Sequence, residues 1–96
     1  MTIEASKKER TFLVECYSPG IDRAGVEAEA DRARGASAEL RDSGVGVDYV
    51  GAVLVPQDEV VFHLFRSPDA AIVRDVFARA GLAFERVVES VVLEMA

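Results

Sequence analysis

Residues 12–19 read FLVECYSP, and residues 60–69 read VVFHLFRSPD. Each stretch is an apolar segment typical of a β-strand that runs into Ser-Pro, a pair typical of the turn before a helix. The helical segments that follow begin near Asp22 and Asp69, and a further strand-like segment follows each helix. The chain therefore reads as two successive βαβ units, and this repetition decides the fold.

Local signals predict where the two helices begin and end. Asp22 is a candidate N-cap for the first helix, and Ser43-Gly44 follows its last residues. Ser67 is the expected cap of the second helix, Pro68 its first position, residues 69–80 the helical run that follows, and Gly81 the residue after its end. The first helix carries a small-sided apolar stripe at spacings of three and four, formed by Val26, Ala30, Ala33, Ser37 and Leu40.

The strands are predicted over residues 11–17, 45–55, 60–65 and 84–95. Two right-handed βαβ units of this length interleave into a four-stranded antiparallel sheet with both helices on one face. The sequence thus predicts an α+β fold, a ferredoxin-like βαββαβ sandwich with strand order 4-1-3-2. Residues 11–96 form a single domain, and residues 1–10, which lack periodicity, form a flexible N-terminal segment.

Composition restricts the class of protein. The formal net charge of −6 argues against a nucleic-acid partner. The chain contains no apolar run long enough to span a membrane and begins with no secretory signal, so a cytoplasmic protein is expected. The single cysteine, Cys16, excludes an intramolecular disulfide and is expected to be a small buried hydrophobic residue.

The sheet face that the helices leave uncovered is predicted to be apolar. If Phe12, Val14, Cys16, Phe62 and Leu64 point at the helices, the residues that point away are Leu13, Tyr17, Val61 and Phe65. Such a face is more apolar than a soluble monomer normally exposes. We therefore expect a homodimer formed through this open face, with a small-molecule ligand as a further possible occupant.

Three ionisable residues are predicted to converge on the open face: Glu15, His63 and Glu89. Their two carboxylates and one imidazole provide oxygen and nitrogen donors for a divalent metal ion. Alternatively, His63 acts as a catalytic general base that Glu15 orients, in a ligand-binding pocket lined by Leu13, Tyr17, Tyr49 and Phe65. The three ionisable residues also fit a role as hydrogen-bonded polar residues at a dimer interface. A one-residue phase shift on the fourth strand would place Glu94 on the open face instead of Glu89.

A resemblance to a known family adds to this interpretation. Residues 12–15 and 17–20 (FLVE and YSPG), residues 62–65 and 67–68 (FHLF and SP), Val73-Arg74, Ala80-Gly81 and residues 86–89 (RVVE) carry it. With these motifs the chain resembles a family of small bacterial domains of unknown function, one branch of which is described as nickel-binding with a ferredoxin-like fold. The resemblance implies that fold, a dimer, and nickel as a possible cofactor. With one histidine in the chain, nickel needs carboxylate partners or a His63 from each of two subunits.

Three hypotheses of function follow. The leading one is a homodimeric protein that binds a small ligand or a metal ion near Glu15 and His63. The second is a cofactor-free dimeric α+β barrel enzyme, an oxygenase, isomerase or cyclase, with His63 as general base. The third is a structural or regulatory interaction module without a chemical site.

Overall fold

The computed structural model describes residues 9–94 and shows four strands and two helices in the order β-α-β-β-α-β. These elements are β1 (Arg10–Tyr17), α1 (Arg23–Asp42), β2 (Asp48–Val55), β3 (Val60–Ser67), α2 (Ala70–Ala80) and β4 (Arg86–Ser90). The strands form one antiparallel sheet in the order β2-β3-β1-β4. The ferredoxin-like fold and its strand order are confirmed. Residues 1–8 of the N-terminal segment expected over residues 1–10, and residue 95 of the fourth strand expected over residues 84–95, lie outside the described residues.

Helix α1 begins as the sequence predicts. The side chain of Asp22 accepts a hydrogen bond of 2.8 Å from the backbone N–H of Gly25, which satisfies one of the free donors of the first turn. The buried side chains of this helix are all small or aliphatic: Val26, Ala30, Ala33, Ala36, Ser37 and Leu40. This small-sided stripe lets α1 lie close to the sheet.

The predicted cap of α2 is wrong by two residues. Asp69, not Ser67, is the N-cap, because its side chain accepts from the backbone N–H of Ala71 at 2.8 Å. Ser67 is instead the last residue of β3, and its hydroxyl donates to the carbonyl of Gly46 at 3.3 Å. The end of α2 is as predicted, since Gly81 adopts the left-handed conformation with φ of 69°.

Two strands are shorter than predicted, for different reasons. β2 begins at Asp48 because the residues before it close the end of α1: the N–H of Val45 donates to the carbonyl of Leu40. β4 spans only Arg86–Ser90. Its neighbour β1 begins at Arg10, and the ladder between the two strands ends where Thr11 pairs with Ser90.

The predicted orientation of β3 is wrong. Val61, His63 and Phe65 are buried beneath the helices, whereas Phe62 and Leu64 lie on the open face. The register fixes this arrangement, because His63 pairs with Val14 and Phe62 pairs with Glu15. β1 has the predicted orientation, with Phe12, Val14 and Cys16 in the core.

The core between sheet and helices is built around Phe77 of α2. Its ring makes edge-to-face contacts with Phe65 at 5.8 Å, with His63 at 5.6 Å and with Phe84 at 5.5 Å between centroids. The imidazole of His63 is thus part of the core. Among residues 9–94, no helix combines the length and the apolar character needed to cross a bilayer.

Candidate functional site

His63 is the centre of a polar cluster beneath α1. It lies in the middle of β3 with no exposed surface, and its Nδ1 is 2.7 Å from the hydroxyl oxygen of Tyr49 on β2. Its other ring nitrogen, Nε2, is 3.5 Å from a carboxylate oxygen of Glu29 on α1. Nε2 has no hydrogen-bond partner among the described residues. We call Glu29, His63 and Tyr49 the buried polar cluster.

The sequence patterns that predict the candidate site do not include Glu29. A signal for it exists, because Val26, Glu29, Ala33, Ala36 and Leu40 repeat at spacings of three and four. A carboxylate within such a repeat points partly into the core. Its side chain is 26% exposed, so it is partly in contact with solvent, and one of its carboxylate oxygens lies 3.5 Å from Nε2 of the imidazole.

The surroundings of the cluster favour neutral side chains. Burial lowers the pKa of His63, and the adjacent carboxylate of Glu29 partly opposes this effect. Burial also raises the pKa of Tyr49 to about 12, against the opposing influence of Arg34. At neutral pH, Tyr49 is therefore a phenol and His63 favours the neutral imidazole.

An arginine of α1 also contacts the ring of Tyr49 from the solvent side. The guanidinium carbon of Arg34 lies 5.1 Å from the centroid of the Tyr49 ring, and Arg34 is fixed by a 2.9 Å ion pair with Asp31. Phe65 packs edge-on against the same ring at 5.1 Å. Tyr49 is thus clamped between the helix and the sheet with its hydroxyl directed at His63.

The predicted convergence of Glu15, His63 and Glu89 is wrong. Glu15 is on the open face and forms a 2.6 Å ion pair with Arg86. His63 is on the opposite, helix-covered face, because β3 has the other orientation. Glu89 pairs in the ladder with Phe12, and its exposed carboxylate is 3.8 Å from Arg10.

These residues do not fit the donor set of a metal ion. Among residues 9–94, no three histidine, cysteine, aspartate or glutamate side chains lie close enough together to hold one. In the buried polar cluster only Glu29 and His63 offer donors of that kind. A dimer formed through the open face cannot bring two His63 side chains together, because each lies beneath its own helix. Within residues 9–94 of one chain, the nickel that the resemblance implies therefore meets no set of three such donors.

The residues predicted to line one ligand pocket are divided between two faces. Leu13 and Tyr17 lie on the open face, where Tyr17 is 57% exposed. Tyr49 and Phe65 lie on the helix side and contact each other in the core. Cys16 is free and buried, as expected, and burial raises the pKa of its thiol to about 12.

A cleft lies elsewhere on the helix side, between α1 and the edge strand β2. Its volume is about 380 Å³, and its lining residues are Arg23, Val26, Glu27, Ala52, Leu54 and Pro56. The floor and walls are mainly apolar, with one cation and one anion from α1. Ala52 pairs with His63 in the ladder, so the cleft lies one strand away from His63.

Comparisons with known proteins support the fold. No family model matches the chain, and no curated protein matches it. The crystal structure of SCO4226 from Streptomyces coelicolor A3(2) is similar, with a TM-score of 0.66 and 22% sequence identity. The match covers 90% of this chain and 99% of that one. At this identity the likeness establishes the shared fold alone.

Proposed function

We propose that this protein is a homodimer that binds a small, mainly apolar ligand. The two subunits associate through their open sheet faces, and each binds its ligand in the cleft between α1 and β2. The observation that carries this proposal is the apolar surface on the side of the sheet that α1 and α2 leave uncovered.

The composition of the open face supports the dimer. Its centre is formed by aliphatic and aromatic side chains from all four strands, namely Leu13, Val53, Phe62, Leu64 and Val88. In the single chain Val53 is 60% exposed, and Tyr17 on the same face is 57% exposed. The ion pair of Glu15 with Arg86 neutralises charge on the same face. A two-fold axis through this face would bury these side chains against their own copies.

Sedimentation equilibrium on wild type and Leu64→Glu tests the dimer. Leu64 lies at the centre of the open face, paired with Leu13 and Gly51, so a carboxylate there opposes burial against a second copy. Ala78→Glu, on the exposed surface of α2, is the control. The proposal expects a dimeric wild type, a dimeric control and a monomeric, folded Leu64→Glu. A monomeric wild type at about 100 µM contradicts it, since that concentration exceeds the dissociation constant of a stable dimer.

The size and lining of the α1–β2 cleft support the ligand site. A volume of about 380 Å³ lies within the usual range of small-molecule pockets. Val26, Ala52 and Leu54 supply apolar contact, and Arg23 and Glu27 offer polar contacts at its α1 side. These features suit a compact ligand with an apolar body and few polar groups.

Nuclear magnetic resonance with indole as a neutral apolar probe tests this site. Saturable shifts of the backbone amides of Val26, Ala52 and Leu54 are expected. Ala52→Phe should abolish them by filling the cleft, whereas Ala28→Phe, on the exposed side of α1, should leave them unchanged. Shifts confined to the open face would contradict the cleft without affecting the dimer.

The buried polar cluster favours a cofactor-free acid–base enzyme as a second candidate. In this candidate the buried imidazole acts through Tyr49: Nδ1 accepts the proton of the phenol, whose oxygen meets the substrate, and Glu29 has the orienting role predicted for Glu15. The test is deuterium exchange into nitroethane in D₂O. Exchange faster than in buffer that is lost in His63→Gln supports this candidate, and a buffer rate with wild type contradicts it.

A further inference from the structure

The proposed dimer and cleft leave one feature unused: the Nε2 atom of His63. This atom is buried, and no hydrogen bond to it forms within residues 9–94. Leaving a buried polar group unpaired is energetically unfavourable, because the group has lost its hydrogen bonds to water without replacing them. A side chain with such a cost marks a position where a further group can bind.

The hydrogen-bond partners determine which proton His63 carries. The hydroxyl of Tyr49, a phenol at neutral pH, donates to Nδ1, which leaves the proton of the neutral ring on Nε2. The opposite tautomer would direct the lone pair of Nε2 at the carboxylate of Glu29, setting acceptor against acceptor. Nε2–H is therefore a buried donor that faces a carboxylate.

The carboxylate of Glu29 does not reach this donor. N–H···O hydrogen bonds span about 2.7–3.2 Å, and the Glu29 oxygen is 3.5 Å away. Because the Glu29 side chain is 26% exposed, it has a route outward to solvent that leaves the imidazole in place. A free carboxylate in its position is not tethered to α1 and can approach Nε2 to bonding distance.

We propose that the position in front of His63 Nε2 is a binding site for the carboxylate of a small ligand, and that Glu29 covers this site when the ligand is absent. The side chain of Glu29 sets the size class, since it occupies the space of a propionate. The apolar ring of Phe77, 5.6 Å from the imidazole, strengthens a charge-assisted hydrogen bond there by excluding water. This site needs neither the dimer nor the α1–β2 cleft.

The single histidine of the chain makes the test direct, because tag-free protein shows one imidazole signal in a ¹H–¹³C correlation spectrum. Sodium acetate and sodium propionate are titrated into wild type, Glu29→Ala and the control Glu39→Ala, an exposed position of α1. Sodium chloride at equal ionic strength corrects for salt.

The proposal expects a saturable shift of the His63 signal and a rise of its pKa in all three proteins. The apparent dissociation constant should be about tenfold lower in Glu29→Ala, because the carboxylate of Glu29 no longer competes with the ligand for the site. Binding by Glu29→Ala alone would show a cavity made by the substitution and overturn the proposal, as would the absence of a saturable shift in wild type. If Glu29→Ala does not fold, Glu29→Gln replaces it, with tighter binding than wild type expected and equal or weaker binding overturning the proposal.

Discussion

At the scale of single residues, the burial of His63 makes stability depend on pH. Burial lowers the pKa of His63 below the 6.5 of the exposed side chain. At pH values between the folded pKa and 6.5, His63 binds a proton in the unfolded chain but not in the folded chain. The free energy of unfolding therefore decreases as pH falls from about 6.5 towards the folded pKa. The contribution of the neutral His63 side chain to stability is fully present above that range.

Urea denaturation at pH 7.5, 6.5 and 5.5 measures this dependence. His63→Gln, which cannot titrate, should show a flatter decrease between pH 6.5 and 5.5 than wild type. Equal slopes in the two proteins would contradict the assignment to His63, because the carboxylates that also titrate in acid are common to both.

Glu29 is expected to hold the pKa of His63 above the value that burial alone would give. Its charge and its proximity to Nε2 both favour the imidazolium. Glu29→Gln keeps the shape of the side chain without the charge, so the pKa of His63 should decrease. Titration of the single imidazole signal measures this change, and Glu39→Gln serves as control. An unchanged pKa in Glu29→Gln would show that the carboxylate does not act on His63.

At the scale of elements, the sequence predicts β1 and the two helices well but not the orientation of β3. In β1 the polar Glu15 lies opposite the apolar Phe12, Val14 and Cys16, so alternation identifies the inner face. Residues 60–65 are apolar on both faces except at His63, and the polar residue is the one that turns inward. Its partners, Tyr49 and Glu29, come from other elements. The alternation within one strand contains no information about these partners, and for this reason the sequence predicts the wrong face for His63.

Arg32 joins the two helices at one point. Its guanidinium, on α1, donates to the carbonyl of Ala80 at 2.7 Å and to that of Gly81 at 3.1 Å, and so satisfies free acceptors at the end of α2. Because the contact is solvent-exposed, we expect Arg32→Ala to lower the free energy of unfolding by about 1 kcal/mol. Urea denaturation checks this against Arg74→Ala, an exposed arginine of α2. Equal effects of the two substitutions would mean that the bridge does not stabilise the helix pair.

At the scale of the whole molecule, the fold places an apolar core on one side of the sheet and a second apolar surface on the other. The first is closed within one chain by α1 and α2. The second, with Val53 and Tyr17 more than half exposed, has no cover from residues 9–94. In the proposed homodimer a second copy covers this surface with the same side chains, so folding and association are expected to be linked events.

This linkage predicts that the thermal midpoint depends on protein concentration. If two chains unfold together, each tenfold increase in concentration raises the midpoint by roughly 4 °C, given about 0.7 kcal/mol of unfolding enthalpy per residue. Differential scanning calorimetry from about 10 to 1,000 µM measures the slope. Leu64→Glu should show no slope and Ala78→Glu the wild-type slope, because only the first substitution lies on the open face. A wild-type midpoint independent of concentration would mean that the open face meets water in the native protein, and the dimer would then have to be abandoned even though the fold is correct.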